Sequence, residues 1–232
     1  MTILKSLIFF TIFFLWSSTF FLIFSPVKIF SRSFTQRISK FWSWSVIKLS
    51  GCLLNINFNV DGTENLPTNQ SFLIVSNHQS AWETFFFSYF FNCPVFILKK
   101  ELRWIPILSW YFSKLDFIFI DRSKKLESLK HVINSITKII QANKGPFIIF
   151  PEGTRVEPDI KTTSINLGFY AIHKKTGLPI LPIVHNSGKF WINKKFEKKG
   201  GEISIKILPL IIKLNDRIEA EKKIRKIFNF SF

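Results

Sequence analysis

Two short segments of the chain combine residue types that could do chemistry. Residues 77–84 read Asn-His-Gln-Ser-Ala-Trp-Glu-Thr, which places His78 at the end of an apolar run and Glu83 five residues later. Histidine titrates near neutral pH and suits the removal of a proton from an alcohol. A carboxylate at Glu83 can fix the imidazole tautomer and stabilise the imidazolium. The pair predicts general-base catalysis, provided that His78 lies in the loop before a helix and Glu83 in its first turn.

The same residues also predict a simpler structural feature. Ser80 followed three residues later by Glu83 is a capping box, in which the two side chains accept backbone N–H groups at the start of a helix. On this interpretation Glu83 only stabilises the helix, by about 1 kcal/mol, and His78 has no chemical role. The residues alone leave both interpretations open.

The second segment, residues 150–155, reads Phe-Pro-Glu-Gly-Thr-Arg and also ends an apolar run. Gly153 permits a tight turn or the close approach of a ligand, and Arg155 can bind a phosphate through two parallel hydrogen bonds. Arg122 follows another apolar run, at residues 117–120. Taken singly, either arginine is better explained by a surface ion pair. Two arginines at the ends of predicted strands favour an anion site.

Short apolar runs alternate with helix-length segments after residue 53. This alternation predicts an α/β fold, a layered and largely parallel sheet flanked by helices. Because ligands collect beyond the carboxyl ends of parallel strands, we expect His78 and the turn at 152–155 to be neighbours. The predicted strands are residues 54–60, 71–75, 95–98, 117–120, 147–150, 180–184 and 203–212, and the predicted helices are 82–91, 101–113, 126–141, 164–175 and 217–227.

Residues 6–27 form an uncharged, phenylalanine-rich run. As a helix rising about 1.5 Å per residue it would extend roughly 33 Å, enough to cross a hydrocarbon core of about 30 Å. No small-x-small site follows, which disfavours a cleaved signal peptide. Polar residues at 17–19 leave a helix lying in the interface as an alternative to a transmembrane helix. We predict a membrane-anchoring helical segment at residues 1–52 and one domain at residues 53–232.

Residues 33–50 predict an amphipathic helix, whose tryptophans suit a bilayer interface or packing against the core. The net charge of +17 predicts attraction to an anionic membrane surface. No nucleic-acid-binding motif accompanies the charge, so no nucleic acid partner is expected. More basic residues follow the apolar run than precede it, which predicts a cytoplasmic membrane location with the domain facing the cytoplasm. Neither Cys52 nor Cys93 lies in a CxxC pair, no zinc spacing is present, and no metal is expected.

With these residues in hand, the chain resembles the glycerolipid acyltransferases, and among them the bacterial 1-acylglycerol-3-phosphate acyltransferases. Four blocks of the family occur in order over residues 55–210. The first is the histidine-to-acid pair at residues 78–83, and the second ends in Phe-Ile-Asp-Arg at residues 119–122. The third is residues 150–155, and the fourth is the proline-flanked apolar strand at residues 178–183.

The resemblance implies transfer of a fatty acyl chain from acyl-CoA or acyl carrier protein (ACP) to the sn-2 hydroxyl of lysophosphatidate, giving phosphatidate. It implies that His78 deprotonates this hydroxyl, that Glu83 orients His78, and that no cofactor is needed beyond the acyl donor. Acylation of another lysolipid, such as a lyso-ornithine lipid, and a non-catalytic lipid-binding module are the alternatives. The substrate-binding residues implied are Arg122, Glu152, Gly153, Thr154 and Arg155.

The chain departs from the family pattern at three positions. Glu83 stands where aspartate is commonest, and its longer side chain still reaches the histidine. Asp116 stands where the second block usually has glycine. Asn166, two residues before Gly168, stands where many relatives carry lysine. The last two departures bear on recognition of the acceptor and not on the chemistry.

Overall fold

A computed structural model describes residues 2–68, 70–142, 144–158, 160 and 164–229. Within these residues a seven-stranded sheet lies between two layers of helices. The helices are α1 (Thr2–Ile23), α2 (Arg32–Leu54), α3 (Trp82–Phe90), α4 (Leu108–Lys114), α5 (Lys125–Gln141), α6 (Gly168–Thr176) and α7 (Arg217–Phe228). The strands are β1 (Ile56–Asp61), β2 (Leu73–Ser76), β3 (Val95–Lys99), β4 (Ile118–Ile120), β5 (Phe147–Ile149), β6 (Ile180–His185) and β7 (Gly201–Ile207).

The sheet has the strand order β1-β7-β6-β2-β5-β3-β4. Neighbouring strands are parallel at every pairing except the one between β6 and β7. Strands β1 and β7 therefore run opposite to the other five, and those five all end at one edge of the sheet. The predicted α/β fold with a largely parallel sheet is confirmed, and the shared edge collects the loops that carry the predicted site.

Alternate side chains of the strands face two separate cores. In β2, Ile74 packs with side chains of α2 and α3, whereas Leu73 and Val75 pack with those of α5, α6 and α7. All three residues are fully buried. Burial on both faces explains why β2 reads as a continuous apolar run. The strand lies in the middle of the sheet, and His78 follows just beyond its end.

Helices α1 and α2 form an antiparallel hairpin. Trp16 Nε1 donates to Ser45 Oγ over 2.8 Å, and Trp42 Nε1 donates to Ser17 Oγ over 3.2 Å. Ser17, which lowers the hydropathy of the apolar run, is therefore a hydrogen-bond acceptor inside the hairpin. Among the described residues, α1 is the one helix long and apolar enough to cross a membrane.

The amino-terminal half of α1 contributes to the main core. Phe9 is fully buried and packs edge to face on Trp191, with ring centroids 5.4 Å apart. Ser6, also fully buried, accepts the backbone N–H of Lys198 over 2.9 Å. The helix is therefore attached to the loop that precedes β7.

The carboxyl-terminal end of α1 is attached to a different part of the chain. The Tyr111 hydroxyl in α4 donates to the Phe24 carbonyl, one residue beyond the helix, over 2.8 Å. Phe20 at the end of α1 and Ile38 in α2 pack with Tyr111 in a third apolar cluster. The predicted boundary after residue 52 falls within the last turn of α2. The division into segments 1–52 and 53–232 stays a prediction.

The helix predicted over residues 101–113 is wrong as a single element. Lys100–Trp104 form a short 3-10 segment, and α4 begins only at Leu108. Pro106 lacks a backbone N–H and clashes with a preceding helical turn, so it ends the helical pattern. Ile107 then adopts φ +63° and ψ −56°, and the Leu108 N–H donates to the Pro106 carbonyl over 2.6 Å. This is a γ-turn of the strained, positive-φ form.

Two other predicted boundaries differ from the structure. The strand predicted over residues 203–212 ends at Ile207, before Pro209, which has no N–H to donate to a ladder. The helix predicted over residues 164–175 begins at Gly168. The other predicted helices and strands lie within a few residues of the observed ones.

Candidate active site

The loops that follow β2, β4 and β5 meet at the edge where these strands end. His78 lies two residues beyond β2, and Arg122 lies two residues beyond β4. The Arg122 guanidinium donates to the carbonyl of Gly153, in the turn that follows β5. In the same turn, the Val156 N–H donates to the His78 carbonyl over 2.8 Å. The structure therefore brings the predicted base and the predicted anion site together.

His78 and Glu83 form a hydrogen-bonded pair. His78 Nδ1 lies 2.8 Å from Glu83 Oε1. The Glu83 side chain is 1% exposed, whereas that of His78 is 17% exposed. A neutral imidazole beside a carboxylate carries its proton on the nitrogen that faces the carboxylate, here Nδ1. This assignment leaves the lone pair on Nε2, which can accept a proton at the partly open edge of the sheet.

Both carboxylate oxygens of Glu83 accept several hydrogen bonds. Oε1 accepts the N–H groups of Gln79 and Ser80, each over 2.9 Å, and Oε2 accepts the hydroxyls of Ser187, over 2.7 Å, and Ser80. Burial by itself would raise the pKa of Glu83, but the hydrogen bond from His78, its charge and the Ser80 hydroxyl hold that pKa well below its usual range. Glu83 is therefore ionised at neutral pH and can stabilise a protonated His78.

The two interpretations of residues 80–83 are compatible. Glu83 accepts the Ser80 N–H, and Ser80 Oγ accepts the Trp82 N–H over 3.1 Å, so both side chains bind N–H groups at the start of α3, although its N-cap residue is Ala81 and not Ser80. His78 lies in the loop before α3, and Glu83 lies in the first turn, as the pairing requires. The cap sets the turn from which Glu83 reaches His78.

The main chain and the ring of His78 are held by the segment after β5. The His78 N–H donates to Glu152 Oε2 over 2.6 Å. The imidazole stacks on the Phe150 ring, with centroids 4.2 Å apart and planes 20° apart. A base held at its main chain, ring face and Nδ1 is fixed in orientation before a substrate binds. The negative charge of Glu152 suits this contact better than a contact with an anionic ligand.

The predicted anion-binding residues lie on an exposed turn. Gly153 has φ +70° and open space where a Cβ would be, so the left-handed backbone and not crowding requires glycine. Thr154 and Arg155 are exposed, and Arg155 Nη1 donates to Asn193 Oδ1 over 3.3 Å. Burial lowers the pKa of Arg122, but a guanidinium stays charged in proteins. Two arginines at the same edge as a partly exposed base suit a ligand that carries a phosphate.

The chain matches the acyltransferase family over residues 57–186, more than half of its length. This range contains the His78–Glu83 pair, Arg122 and the turn that carries Arg155. The chain belongs to the acyltransferase family.

Relatives with a named activity cover most of the chain. The 1-acyl-sn-glycerol-3-phosphate acyltransferase of Pseudomonas aeruginosa is 35% identical over 218 residues, which are 89% of this chain and 82% of that relative. The protein of the same name from Borreliella burgdorferi is 31% identical and covers 75% of this chain. The crystal structure of the 1-acyl-sn-glycerophosphate acyltransferase of Thermotoga maritima matches with a TM-score of 0.76 at 26% identity. The structural match covers 97% of this chain and 92% of the Thermotoga maritima chain. The predicted resemblance is confirmed.

Several polar residues that support the acyltransferase site were not predicted as site residues. Asn77 Nδ2 donates to the His185 carbonyl over 2.8 Å, and the His185 N–H donates to Asn77 Oδ1 over 3.1 Å, which joins the ends of β2 and β6. Gln79 Oε1 accepts the Gly188 N–H over 3.1 Å. Burial lowers the pKa of His185, whose side chain is 1% exposed. Its Nε2 contacts the Asn77 carbonyl and its Nδ1 accepts the Ser187 N–H, so neither ring nitrogen is open to a substrate. In the sequence, the signal for these supporting residues is the polar run directly after β6, which includes Ser187.

Two departures from the family pattern have structural explanations. Asp116 has φ +61°, a left-handed conformation in which glycine is least strained. Its Oδ2 accepts from Arg32 Nε over 2.7 Å and from Lys144 Nζ over 2.9 Å. Asn166 Oδ1 accepts the first N–H of α6 over 2.9 Å, and the Asn166 N–H donates to the Pro151 carbonyl over 2.9 Å. Asn166 therefore fixes the backbone beside the turn after β5, whereas Asp116 precedes β4 and lies at the opposite edge of the sheet.

Proposed function

We propose that this protein transfers a fatty acyl chain from an acyl thioester to the sn-2 hydroxyl of lysophosphatidate, giving phosphatidate for phospholipid biosynthesis. The observation that carries the proposal is the 2.8 Å contact between His78 Nδ1 and Glu83 Oε1, at the same sheet edge as Arg122 and Arg155. The relatives named for this activity span most of the chain, which supports the choice of acceptor.

His78 acts as the general base in this reaction. Its Nε2 takes the proton of the acceptor hydroxyl while the hydroxyl oxygen attacks the thioester carbonyl carbon. Glu83 stabilises the resulting imidazolium through its bond to Nδ1–H. When the tetrahedral intermediate collapses, the C–S bond breaks and the leaving thiolate takes the proton from Nε2. The neutral base is regenerated in the same turnover.

The acceptor phosphate is bound by Arg122 and Arg155, with Gly153 and Thr154 shaping the turn between them. This turn is joined to the His78 loop, because the Val156 N–H donates to the His78 carbonyl. We assign Glu152 a positioning role, because its carboxylate accepts the His78 N–H. The alternative is that this turn binds the phosphates of the acyl donor. Varying the donor and the acceptor separately tests which of the two it binds.

The acyl donor is acyl-CoA or acyl-ACP, and we propose that the reaction needs no cofactor. A thioester carbonyl is already activated towards attack, so a base and a bound acceptor suffice for transfer. In the ranges that the structure describes, His, Cys, Asp and Glu form no group of three or more that could hold a metal ion.

The apolar helix α1 associates the protein with a membrane, and we propose that it lies along one leaflet of the cytoplasmic membrane, on its cytoplasmic side. Its two ends contact the rest of the chain, through Ser6 to Lys198 and through Tyr111 to Phe24. A spanning helix would place these contacts on opposite sides of a hydrocarbon layer of about 30 Å. Cysteines introduced at Thr2 and Ser25 should both react with a reagent added on the cytoplasmic side. Reaction from opposite sides would show that α1 spans the bilayer.

Purified protein, a labelled acyl donor and a panel of lysolipids test the proposed reaction. We expect transfer to lysophosphatidate, with acyl-CoA and acyl-ACP compared as donors. Transfer to a lyso-ornithine lipid but not to lysophosphatidate would change the acceptor and keep the chemistry. No transfer to any acceptor, from either donor, would contradict the enzyme and favour a lipid-binding module.

A further inference from the structure

We propose that residues 104–110, here the tryptophan loop, form a second membrane-contacting element that inserts into an anionic bilayer beside the active-site edge. Trp104 is 84% exposed, and Ile105 and Trp110 are each 39% exposed. Single exposed apolar residues are common on protein surfaces, but these three lie within one short stretch, from the end of the 3-10 segment to the first turn of α4. Tryptophan is the residue type enriched at the boundary between lipid and water.

The loop is held in its projecting shape by a strained turn. Ile107, a β-branched residue, has φ +63° and ψ −56°, a conformation that costs about 1–3 kcal/mol. Its side chain packs into the apolar cluster that contains Phe20 and Tyr111. A relaxed helix through residues 101–113 would carry Trp104 elsewhere. The structure instead maintains a turn that leaves Trp104 and Ile105 outside the core.

The loop is attached to the membrane hairpin of α1 and α2. Lys28, between the two helices, places its Nζ 4.6 Å from the centroid of the Trp110 ring. Lys114 Nζ donates to the Lys28 carbonyl over 3.1 Å. Ile29, next in the chain, is 81% exposed. The exposed apolar surface of the hairpin therefore continues into the tryptophan loop.

The charges around the loop select an anionic bilayer as its partner. Lys28, Arg103 and Lys114 lie at its borders, and basic residues near an anionic leaflet each contribute about 1 kcal/mol to binding. The protein as a whole carries a net charge of +17. Apolar tips bordered by lysine and arginine are typical of segments that insert between headgroups.

The loop lies next to the proposed acceptor site. It begins at Trp104, the last residue of the 3-10 segment Lys100–Trp104, and this segment starts directly after β3 at the active-site edge. Lys100 Nζ pairs with Asp121 Oδ2 over 2.6 Å, one residue before Arg122. A bilayer contact at Trp104 would therefore hold the edge with Arg122 against the surface where a lysolipid acceptor resides. This consequence rests on the proposed function, whereas the bilayer contact does not.

A polarity-sensitive fluorophore at residue 104 tests the contact directly. The label is placed by Trp104→Cys in the full chain with Cys52→Ser, because Cys93 is buried. Vesicles of phosphatidylcholine with phosphatidylglycerol should shift its emission to the blue. A label at Leu15, 65% exposed on α1, reports that the protein is bound, and a label at Ile218, 79% exposed on α7 in the opposite layer, should not shift.

Three results of the fluorescence experiment would overturn the proposal. A shift at residue 15 without a shift at residue 104 would show that only the hairpin enters the bilayer. A shift at residue 104 that needs no vesicles and grows with protein concentration would assign the loop to contact with a second copy of the chain. If the protein bound equally well to vesicles without phosphatidylglycerol, an anionic bilayer would not be its partner. We expect binding to weaken about tenfold when phosphatidylglycerol is left out.

Activity separates this inference from the proposed function. With vesicle-embedded lysophosphatidate, Trp104→Ala should raise the apparent KM about tenfold, and Ile218→Ala should leave it unchanged. In detergent micelles Trp104→Ala should keep the wild-type kcat, because the base is untouched. An unchanged KM on vesicles would contradict a role in substrate access. If the wild type transfers no acyl chain but residue 104 shifts, the proposed function fails and the bilayer contact stands.

Discussion

The backbone N–H of His78 donates to Glu152 Oε2 over 2.6 Å, so the proposed base is joined to the second motif through its main chain. Its ring is held independently by Glu83 and by Phe150. Glu83 lies in the segment after β2, and Phe150 and Glu152 lie in the segment after β5. These three residues therefore determine where Nε2 of His78 points. Each of these contacts can be removed by its own mutation, so the contribution of the base to activity can be measured apart from that of the residues that hold it.

Replacement of His78 by alanine should abolish acyl transfer. Loss of a positioned general base costs about 10²–10⁴-fold in kcat. Folding should be retained, since the side chain is partly exposed and occupies no core position. Transfer of a labelled acyl chain measures the loss, and circular dichroism reports the fold. His131→Ala is the matched control, because His131 is exposed on α5 in the other layer; equal activity of the two variants would contradict catalysis by His78.

Glu83 should affect both activity and stability. Glu83→Gln keeps the size but removes the charge that stabilises protonated His78, so kcat should fall while Glu83→Asp retains more activity. The same change should cost about 1.5–3 kcal/mol of unfolding free energy, because hydrogen bonds to a charged acceptor are lost. Denaturant unfolding and steady-state kinetics measure the two effects. If Glu83→Gln lowered stability alone, Glu83 would serve only as the helix cap.

The stability contributed by Glu83 should depend on pH in a defined direction. Its pKa in the folded protein is lowered from 4.5, so the folded state binds fewer protons than the unfolded state. The contribution is therefore complete above pH 4.5 and is lost as the pH falls below it. The difference in unfolding free energy between wild type and Glu83→Gln should narrow in that range. A difference that stays constant down to acidic pH would contradict a lowered pKa.

Glu152 should act through His78 and not through the acceptor phosphate. Glu152→Ala removes the acceptor of the His78 N–H and should lower kcat by about 10–100-fold with little change in the KM for lysophosphatidate. Glu152→Gln keeps an oxygen that can accept this N–H and should restore most of the activity. A large change in KM, without rescue by glutamine, would place Glu152 in acceptor binding.

Arg122 and Arg155 should recognise the phosphate of the acceptor. Arg122→Ala or Arg155→Ala should each raise the KM for lysophosphatidate about 10–100-fold, the loss expected for a charge-assisted hydrogen bond. Transfer to monoacylglycerol, which lacks the phosphate, should change much less. Arg217→Ala, an exposed arginine at the start of α7, is the control. An equal rise in KM for both acceptors would mean that the arginines position the turn only.

The sequence predicts the chemistry of the site better than its supports. The spacing of His78 and Glu83 and the positions of strand ends lead to the pair and to its shared edge with Arg122. Contacts that depend on strand order do not follow from one sequence. Ser187 reaches Glu83 because β6 lies beside β2, although 104 residues separate the two in the chain. The apolar spacing of residues 101–113 predicts one helix, but Pro106 ends it, and the γ-turn at Ile107 has no signal in that spacing.

The burial of Phe9 against Trp191 makes α1, the proposed membrane segment, a component of the folding unit. A shortened chain that lacks α1 would expose the Trp191 ring and leave the Lys198 N–H without its Ser6 acceptor. Such a truncation should yield an aggregating protein and not a water-soluble enzyme. For the same reason an unrelated hydrophobic helix could not replace α1. The proposed attachment to lipid and the assembly of the catalytic fold therefore depend on the same helix, and neither can be removed without the other.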